Sequence, residues 1–422
     1  MRALVLTTSY PLAEESLSGS FLRDLLEGLG EFGWSFDVVT PAGAGSHAAR
    51  ALEPGDATRA ASRRDGAGAG DAAHDGARAV RVHAVRYPGY RLGGGLAHAR
   101  GMPETLSSRP LAWSLVPGLV AALHRAAEAC LRGGRFDLVW SHWLLPSGAV
   151  GAALARRRNT PHVVTAHGGD VHLLERFARA HAAREVFARL WSRSVLTAPA
   201  DHTAARVAAA TGGAPVAVAP LPALAAPAGA PEPGPLRLLF LGRFEPIKGP
   251  DILLEALSGV PPSSVDEVTI AGAGSLAPRL EQLAGGVPAR VRFPGVLGAR
   301  EKALALARAH ALVVPSRAVR GRAEGFPHAA AEALAAGRPV LAAREGALGG
   351  LLERTGAGIV FDAGGDAART AGLAAAIARV ADRDERERLR ERALPAGAPF
   401  RRDAALARWD ELLRAAAAAR AA

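Results

Sequence analysis

Two glutamates, Glu324 and Glu332, stand eight residues apart in the stretch EGFPHAAAE. Pro327 suits the first turn of a helix and Gly337 suits its end, which places Glu324 in the loop ahead of the helix. Glu332 then lies about one and a half turns inside, roughly 7 Å further along the axis. Free N–H groups at the start of a helix attract anions. The spacing predicts two carboxylates that hold different parts of one extended ligand with an anionic middle.

Other interpretations of the two glutamates remain open. Glu324 alone would complement the helix dipole, and Glu332 alone would be an ordinary solvated helix residue. The pair would also suit the acid and base of a glycoside hydrolase. This last alternative is disfavoured because such a hydrolase does not need the basic loop described next.

The basic loop follows an apolar run and reads GRFEPIKGPDILLEAL. Gly242 ends the run, Arg243 and Lys248 bracket a turn, and Pro250 suits the start of the next helix. Two cations beside a helix N-terminus suit one or more phosphates, whereas the alternative is a pair of solvated basic residues. Of the 51 basic residues only Lys248 and Lys302 are lysines, which favours a function for the lysine in this turn. Lys302 tempers that argument because it falls in an ordinary helical pattern.

A glycine-rich stretch, IAGAGSLAPRL at residues 270–280, matches a loose dinucleotide-binding pattern, G-x-G-x-x-A. Such a match is weak unless an acidic residue follows about 20 residues later, at the end of the next strand, to hold a ribose. The sequence there is VRFPGV, which offers Arg292 and no carboxylate. NAD binding is therefore a minority interpretation.

Alternating strands and helices must position these loops. The 422 residues exceed the usual size of one hydrophobic core and indicate two domains. Strand and helix patterns alternate through residues 1–220 and again through 236–398, which is typical of doubly wound α/β domains with parallel sheets. The proline-rich segment 221–235 predicts a linker, and the Ala/Gly/Asp/Arg-rich segment 42–80 predicts a flexible insertion. Ligands bind such sheets at the carboxyl ends of the strands, where the loops above fall.

Composition excludes several classes of protein. The net charge of +11 is spread over both halves without a run of five like charges or a recognition motif, so we expect no nucleic-acid partner. The single cysteine, Cys130, suits a reducing cytoplasm and is interpreted as a small buried apolar residue. The first apolar run is too short for a secretory signal, and no run of about 18 apolar residues predicts a membrane span.

Four motifs, in order, resemble the C-terminal domain of retaining glycosyltransferases of family 4. They are GRFEPIKGPDILLEAL, VTIAGAGSLAPRLEQLA, VRFPGVL, and the stretch that runs from VVPS through AEGFPHAAAEALAAGRPVLA. Upstream, FDLVWSHWLLPSGAVGAALARRRNTPHVVTAHGGDV is similar to the N-terminal domain of the family. The resemblance covers most of the chain and fails mainly in residues 42–80.

The resemblance implies the GT-B fold, in which two Rossmann-like domains face each other across a cleft. Residues 1–220 would bind the acceptor and 236–398 the nucleotide-sugar donor, and 399–422 would form a helix that returns to the N-terminal domain, with Trp409 packed there. It further implies transfer of a hexosyl unit, from a UDP- or GDP-sugar, to a hydroxyl of a glycan, a lipid-linked glycan or a small molecule. No metal or other cofactor is expected. The implied setting is polysaccharide biosynthesis in the cytoplasm of a bacterium, and the lipid-linked acceptors of the family imply peripheral contact at the inner face of the membrane.

The resemblance also assigns roles to residues of the donor site. Arg243 and Lys248 would bind the diphosphate and stabilise the charge of the leaving group. Glu324 would bind hydroxyls of the donor sugar, and Glu332 would accept hydrogen bonds from the ribose. Loop 294–298 would line the base. The further donor contacts are Gly242, Val296, Ser316, Gly325, Phe326 and Pro327.

In the N-terminal domain the resemblance implies three contacts. Gly19 would let backbone approach the diphosphate. His167 would reach the transferred sugar or the acceptor, and Asp170 would bind substrate nearby. No general base is assigned, because the leaving phosphate oxygen can deprotonate the acceptor in retaining enzymes of this type.

The sequence departs from the family pattern in two places. Gly350 stands near a position where the family often has a donor-binding glutamate, which leaves that contact open. Arg317, Arg320 and Arg322 precede Glu324, and we interpret them as solvated charges in preference to extra phosphate ligands. The alternatives to a transferase are a nucleotide-sugar 2-epimerase of the same fold, an NAD(P)-dependent oxidoreductase and a binding protein without turnover.

Overall fold

The computed structural model describes residues 1–12, 19–42, 79–88, 96, 102, 105–106, 109–179, 181–223, 229, 231–319, 324–362 and 364–419. The predicted insertion at 42–80 lies almost wholly outside the described residues, and so do Arg320 and Arg322. The chain divides into two compact units. The first unit comprises Met1–Pro199, Ala204–Ala219 and Leu406–Ala422, and the second comprises Ala200–Thr203 and Pro220–Ala405.

The first unit is built on a parallel sheet of seven strands. They are β1 (Arg2–Leu6), β2 (Ser35–Pro41), β3 (Val80–Val85), β4 (Leu138–His142), β5 (His162–Thr165), β6 (Ser194–Ala198) and β7 (Val216–Val218). Their order across the sheet is β3-β2-β1-β4-β5-β6-β7. The strands of such a sheet are covered on both faces, which explains why β1 is apolar and buried from Ala3 to Leu6.

Helices connect these strands. In chain order they are α1 (Ser20–Gly30), α2 (Val116–Gly133), α3 (Ala149–Arg158), α4 (Gly169–Phe177), α5 (His181–Leu190) and α6 (Asp201–Ala210), and a 3₁₀ turn, Pro110–Leu115, precedes α2. Helix α1 buries Leu22, Leu25, Leu26 and Leu29 completely, which is the helical periodicity of its sequence. Cys130 on α2 is half-buried, so the expectation of a buried apolar cysteine was too strong.

The second unit contains a parallel sheet of six strands. They are β8 (Leu236–Leu241), β9 (Val265–Ala271), β10 (Arg290–Arg292), β11 (Ala311–Val314), β12 (Val340–Ala343) and β13 (Gly358–Phe361), in the order β10-β9-β8-β11-β12-β13. Its helices are α7 (Pro250–Leu257), α8 (Ala277–Ala284), α9 (Ala299–Arg308), α10 (His328–Ala335), α11 (Ala347–Thr355), α12 (Asp366–Ala381) and α13 (Arg383–Gly397). The last helix, α14 (Arg402–Ala418), begins in the second unit and belongs to the first from Leu406 onward. The predicted doubly wound α/β architecture is therefore confirmed.

The end of α14, from Leu406 onward, packs within the first unit. Trp409 is fully buried and its ring lies 4.9 Å from that of Trp140, centroid to centroid. The Trp34 indole donates a hydrogen bond of 2.7 Å to Asp410. The prediction that Trp409 serves packing is confirmed. In the parts of the chain that the structure describes, no helix combines the length and the apolar character required to cross a membrane.

Candidate active site

The candidate donor site lies at the carboxyl ends of β8 and β11. These strands are neighbours, but β8 leads through α7 to β9 on one side of the sheet, while β11 leads through α10 to β12 on the other side. The connections therefore part at this point and open a crevice, which is where α/β sheets bind ligands. Both loops singled out in the sequence, Gly242–Lys248 and the loop before α10, converge here.

Lys248, Glu324 and Ser316 meet in this crevice. The Lys248 ammonium forms an ion pair with the Glu324 carboxylate, and the Ser316 hydroxyl donates a hydrogen bond to the other carboxylate oxygen. The Lys248 side chain is 23% exposed and that of Glu324 is 13% exposed. The structure thus brings together three of the predicted site residues, one cation, one carboxylate and one hydroxyl.

Arg243 adds a second positive charge to the crevice. Its side chain is exposed and has no hydrogen-bond partner among the described residues. Burial, followed by the nearby charge of Arg243, lowers the pKa of Lys248 to about 7, while the contact with Glu324 acts in the opposite direction. Two cations so close together repel each other, and an anion between them would relieve that repulsion.

The two loops approach each other through Gly249. This residue immediately precedes α7 with φ of 66°, and a Cβ atom placed on it would lie 2.2 Å from the carbonyl oxygen of Pro315. Only glycine allows both that backbone angle and that contact. The sequence reasoning did not single out Gly249, although its place between Lys248 and Pro250 at a helix start was the available signal.

Arg317 joins the same two loops and is neither a solvated charge nor a free phosphate ligand, which corrects the prediction for this residue. Its guanidinium pairs with Asp251 at 2.6 Å and Asp366 at 3.0 Å, and its Nε donates to the Pro246 carbonyl at 2.8 Å. The side chain is only 14% exposed because these three partners enclose it. Arg317 therefore fixes the basic loop and α7 to the end of β11.

Glu332 lies inside α10, as predicted, with a side chain that is 2% exposed. Lys302 on α9 pairs with it at 2.6 Å, and the imidazole of His328 lies 3.5 Å from the same oxygen. A buried carboxylate requires such partners, because an unpaired charge is costly away from water. Lys302, interpreted above as part of an ordinary helix, thus belongs to the surroundings of Glu332.

The remaining predicted donor contacts lie on loops at the carboxyl ends of other strands of this sheet or in the loop before α10. Loop 294–298 follows β10, and its Gly295 carbonyl accepts a hydrogen bond of 2.8 Å from Gly272 after β9. Val296 in that loop is 48% exposed, although it is apolar. The Phe326 ring stacks on Phe400 at 5.2 Å, so its side chain serves packing and leaves its backbone for a ligand.

Other parts of the predicted donor stretch lie as expected from the sequence. Pro327 immediately precedes α10, and Gly337 ends it with φ of 70°. Gly242 follows β8 directly and donates its N–H to the Ala271 carbonyl at 3.1 Å. Gly350 lies inside α11, where it offers no side chain to a ligand.

In the first unit, Gly19 and His167 also lie at the carboxyl edge of the sheet. Gly19 precedes α1 with φ of 79°, and a Cβ atom there would lie 2.5 Å from the Ser9 carbonyl oxygen. The His167 ring packs against Phe21 on α1 at 5.1 Å and against Trp143 at 4.6 Å. The loops after β1, β4 and β5 therefore come together around His167.

Asp170 holds the backbone of the loops that carry Leu144 and His167. It is 2% exposed, and its oxygens accept hydrogen bonds from the backbone N–H groups of Leu144 at 2.7 Å and of His167 and Val171 at 3.0 Å. Burial raises the pKa of Asp170, and these N–H groups counteract the rise. The geometry favours a positioning role, and the predicted substrate contact of Asp170 stays a prediction.

His142 is a residue that the sequence reasoning missed. It ends β4, and its Nδ1 lies 3.0 Å from Nε2 of His167. Burial, and then the proximity of His167, lower the pKa of His142 well below its usual value, and burial lowers that of His167 to about 3. The available signal was that both histidines stand at the carboxyl ends of strand-like runs.

Two family descriptions match the chain. Residues 18–223 match the glycosyl transferase 4-like domain, and residues 235–383 match the glycosyl transferases group 1. An uncharacterised glycosyltransferase of Methanocaldococcus jannaschii is 27% identical over 226 residues, which are 50% of this chain and 57% of that protein. Phosphatidyl-myo-inositol mannosyltransferase of Mycobacterium leprae is 36% identical over 163 residues, 38% of this chain and 40% of that protein. The chain thus spans about half the length of these relatives.

Solved structures resemble the chain over nearly its whole length. Sucrose-phosphate synthase from Thermosynechococcus elongatus has a TM-score of 0.67 at 20% identity, covering 99% of this chain and 100% of that chain. Anabaena HepE in complex with UDP-glucose has a TM-score of 0.62 at 17% identity, covering 98% of this chain and 100% of that chain. Such likenesses show the fold, and the matched segments show the family. The chain has the GT-B fold and belongs to the group 1, or family 4, glycosyltransferases.

Proposed function

We propose that the protein is a metal-independent retaining glycosyltransferase that moves a hexosyl unit from a nucleotide-diphosphate sugar to an acceptor hydroxyl. The observation that carries the proposal is the meeting of Lys248, Glu324 and Ser316, beside Arg243, at the crevice between β8 and β11. A nucleotide-sugar has an anionic diphosphate between two groups rich in hydroxyls. Cations, a carboxylate and a hydroxyl at one place fit that combination.

Arg243 and Lys248 assist departure of the diphosphate leaving group. When the bond between the sugar and the diphosphate breaks, negative charge grows on the phosphate oxygens, and Arg243 and Lys248 stabilise it. Preorganised charge of this kind, aimed at where charge develops, is usually the largest contribution to catalysis. These two side chains perform the role that a bound metal performs in other transferases, and we propose on that basis that no metal is required.

Glu324 and Glu332 bind different parts of the nucleotide-sugar. Glu324 accepts hydrogen bonds from the donor sugar, held in orientation by Ser316. Glu332, on the following helix, accepts from the ribose, and loop 294–298 with Val296 lies against the base. The solved HepE complex with UDP-glucose supports a nucleotide-sugar as the donor.

The first unit contributes His167 to the transferred sugar or to the acceptor. We assign the acceptor to a glycan, a lipid-linked glycan or a small molecule, and the mannosyltransferase of M. leprae, whose name refers to a phosphatidylinositol, supports a lipid-linked one. A cytoplasmic site of action, at the inner face of the membrane for a lipid-linked acceptor, is part of the proposal. No residue acts as a general base, because the departing phosphate oxygen takes the proton of the acceptor.

Donor hydrolysis tests the proposal without knowledge of the acceptor. Purified protein is incubated with UDP-glucose, UDP-N-acetylglucosamine, GDP-mannose and GDP-glucose in excess EDTA, and nucleoside diphosphate release is measured. The anomer released first is identified by NMR. We expect release from one of these α-linked donors, with the α-anomer as the first product. Lys248→Ala should lower the rate about 100-fold or more, because it removes one charge that stabilises the leaving group.

Arg344→Ala is the matched control, since Arg344 is an arginine of the same unit whose side chain is 53% exposed and forms surface ion pairs with Glu353 and Asp362. It should leave the rate unchanged. Release of the β-anomer would contradict retention, and a strict requirement for a divalent metal would contradict metal independence. Conversion of a nucleotide-sugar to its 2-epimer, without hydrolysis, would indicate that the protein is a nucleotide-sugar 2-epimerase. A Lys248→Ala variant as active as the parent would overturn the diphosphate site.

A further inference from the structure

We propose that His142 is a positioning residue that holds His167 in the tautomer with its proton on Nδ1, so that His167 presents a hydrogen-bond donor to the substrate. The inference rests on the proposed function for the identity of the substrate, but the tautomer itself is a property of the protein alone. It concerns a buried residue outside the predicted site.

The rings of His142 and His167 are joined by one hydrogen bond. His142 is the last residue of β4, paired in register with Thr165 of β5, and His167 follows two residues later. The rings stack at 5.2 Å with 25° between their planes, and His142 Nδ1 lies 3.0 Å from His167 Nε2. Phe21 and Trp143 flank the His167 ring and fix its orientation. Trp143 is held there with φ of 75°, a strained angle for a residue other than glycine.

Both rings are neutral at neutral pH, because burial lowers the pKa of each. A neutral imidazole carries one proton, and the nitrogen that lacks it accepts. The short contact between Nδ1 of His142 and Nε2 of His167 can hold only one proton. Either His142 donates and His167 carries its own proton on Nδ1, or His167 donates and His142 carries its own on Nε2.

The second nitrogen of His142 decides between the two arrangements. His142 is fully buried, and its Nε2 has no hydrogen-bond partner among the described residues. If His167 donated, this nitrogen would bear a buried N–H without an acceptor. In native proteins, buried N–H groups without a partner are rarer than acceptors left unsatisfied. Each such N–H costs the desolvation penalty of its lost bond to water. His142 therefore carries its proton on Nδ1 and donates it to His167.

The consequence falls on His167. With Nε2 accepting from His142, its remaining nitrogen, Nδ1, must bear the proton. His167 is half-buried, so that this N–H is available to an oxygen of a bound sugar or acceptor. His167 then acts as a donor that orients a hydroxyl and is unable to take a proton from it, which agrees with a reaction that uses no protein base.

Nitrogen-15 NMR of histidine-labelled full-length protein tests the assignment directly. Two-bond proton–nitrogen correlations distinguish protonated from unprotonated ring nitrogens. We expect His142 and His167 both to be protonated on Nδ1 and bare on Nε2 at pH 7. A proton on Nε2 of His167 in the parent protein would overturn the inference, whatever the activity.

Two substitutions at His142 separate positioning from mere packing. In His142→Asn, the amide nitrogen of the asparagine can replace Nδ1 of His142 as the hydrogen-bond donor. This variant should keep the proton of His167 on its Nδ1. It should also keep most of kcat for hydrolysis of the nucleotide-sugar that the parent protein hydrolyses. His142→Phe keeps a ring but lacks the donor. It should give His167 a mixture of tautomers and lower kcat about tenfold, with a smaller change in KM, as loss of one oriented hydrogen bond predicts.

His162→Asn is the control for loss of a buried histidine. His162 is the first residue of β5, at the amino end of the strand. Its ring forms hydrogen bonds with the hydroxyls of Ser141 at 2.9 Å and Ser194 at 2.7 Å. This variant should lower Tm without a change in the His167 correlations. Equal effects of His142→Asn and His142→Phe on the tautomer and on kcat would show a packing role and contradict the inference. If neither the parent protein nor any variant hydrolyses a nucleotide-sugar, the proposed function fails. The NMR measurement still decides the tautomer of His167.

Discussion

Lys302 on α9 pairs with Glu332 on α10, with 2.6 Å between Nζ and Oε1. Together with the ion pair of Lys248 and Glu324, this contact engages both lysines of a chain that otherwise uses arginine for positive charge. Each of the two glutamates that the sequence singled out therefore has a lysine as counter-ion. An ammonium is compact and strongly hydrated, whereas a guanidinium is a broad fork, so lysine suits a carboxylate that must also accept bonds from a ligand.

Removal of the Lys302 ammonium should destabilise the second unit. Lys302→Ala leaves the buried Glu332 carboxylate with His328 as its remaining ion partner among the described residues, and we expect a loss of about 2 kcal/mol in the free energy of unfolding. Urea denaturation measures it. Addition of Glu332→Gln to Lys302→Ala should recover most of the loss, because the uncompensated charge is then absent. Full stability of Lys302→Ala alone would show that Glu332 does not depend on this ion pair.

Loss of Arg317 should loosen the donor site as well as the fold. Arg317→Ala breaks the bonds to Asp251, Asp366 and the Pro246 carbonyl. We expect a loss of about 2 kcal/mol in stability and about tenfold weaker UDP or GDP binding, since the loop that carries Lys248 is no longer fixed. Calorimetry and thermal unfolding measure the two effects. Arg344→Ala, which removes two exposed ion pairs, should change stability by under about 1 kcal/mol.

A side chain at Gly249 should separate the two loops of the site. In Gly249→Ala the new Cβ would lie 2.2 Å from the Pro315 oxygen, so the backbone must shift. Gly213 also has a positive φ, 88°, but has open space around the new atom, so Gly213→Ala isolates the cost of a left-handed backbone angle, about 1–2 kcal/mol. We expect Gly249→Ala to lower Tm further than Gly213→Ala and to weaken nucleotide binding. Equal Tm values for the two variants would contradict the close approach.

The pKa of Lys248 should make nucleotide binding depend on pH. Burial and Arg243 lower this pKa to about 7, so the ammonium loses its proton as the pH rises through that value. The diphosphate attracts the charged form, and affinity should therefore fall from pH 7 to pH 9, with proton uptake on binding. The terminal phosphate of the ligand, with a pKa of about 6, is already ionised in this range. Calorimetry in buffers of different ionisation enthalpy measures the uptake.

Lys248→Arg is the control for this pH dependence, because a guanidinium stays charged throughout the range. Its affinity should be flat from pH 7 to pH 9, with no proton uptake. A parent protein with the same flat profile would mean that Glu324 holds Lys248 fully charged, and the burial argument would then be wrong.

Much of the donor site could be predicted from the sequence because it is local. The basic loop from Gly242 to Lys248 and the loop that carries Glu324 each lie between an apolar strand and a helix, and Glu332 lies inside the second of these helices. Parallel sheets bring the carboxyl ends of their strands to one edge, so their convergence follows from the order of the elements. The doubly wound architecture itself follows from the alternation of short apolar runs and helical periodicity.

The missed contacts are those made between elements distant in sequence. Lys302 and Glu332 lie 30 residues apart on different helices, and their contact depends on how α9 and α10 pack. Arg317 looked like surface charge because its partners, Asp251 and Asp366, come from other segments. Local patterns carry no such information, although the rarity of lysine gave a hint about Lys302.

Calorimetric titration of UDP, GDP, ADP and NAD into the protein, with EDTA present and beside the Lys248→Ala variant, tests the central claim most directly. We expect one nucleoside diphosphate to bind and Lys248→Ala to lose about tenfold or more in affinity, since a charged hydrogen bond to phosphate is removed. Binding of that diphosphate would also name the base of the donor. Binding of NAD alone, of no nucleotide, or of a diphosphate with equal strength to Lys248→Ala would contradict the assignment of the crevice between β8 and β11 as the donor site.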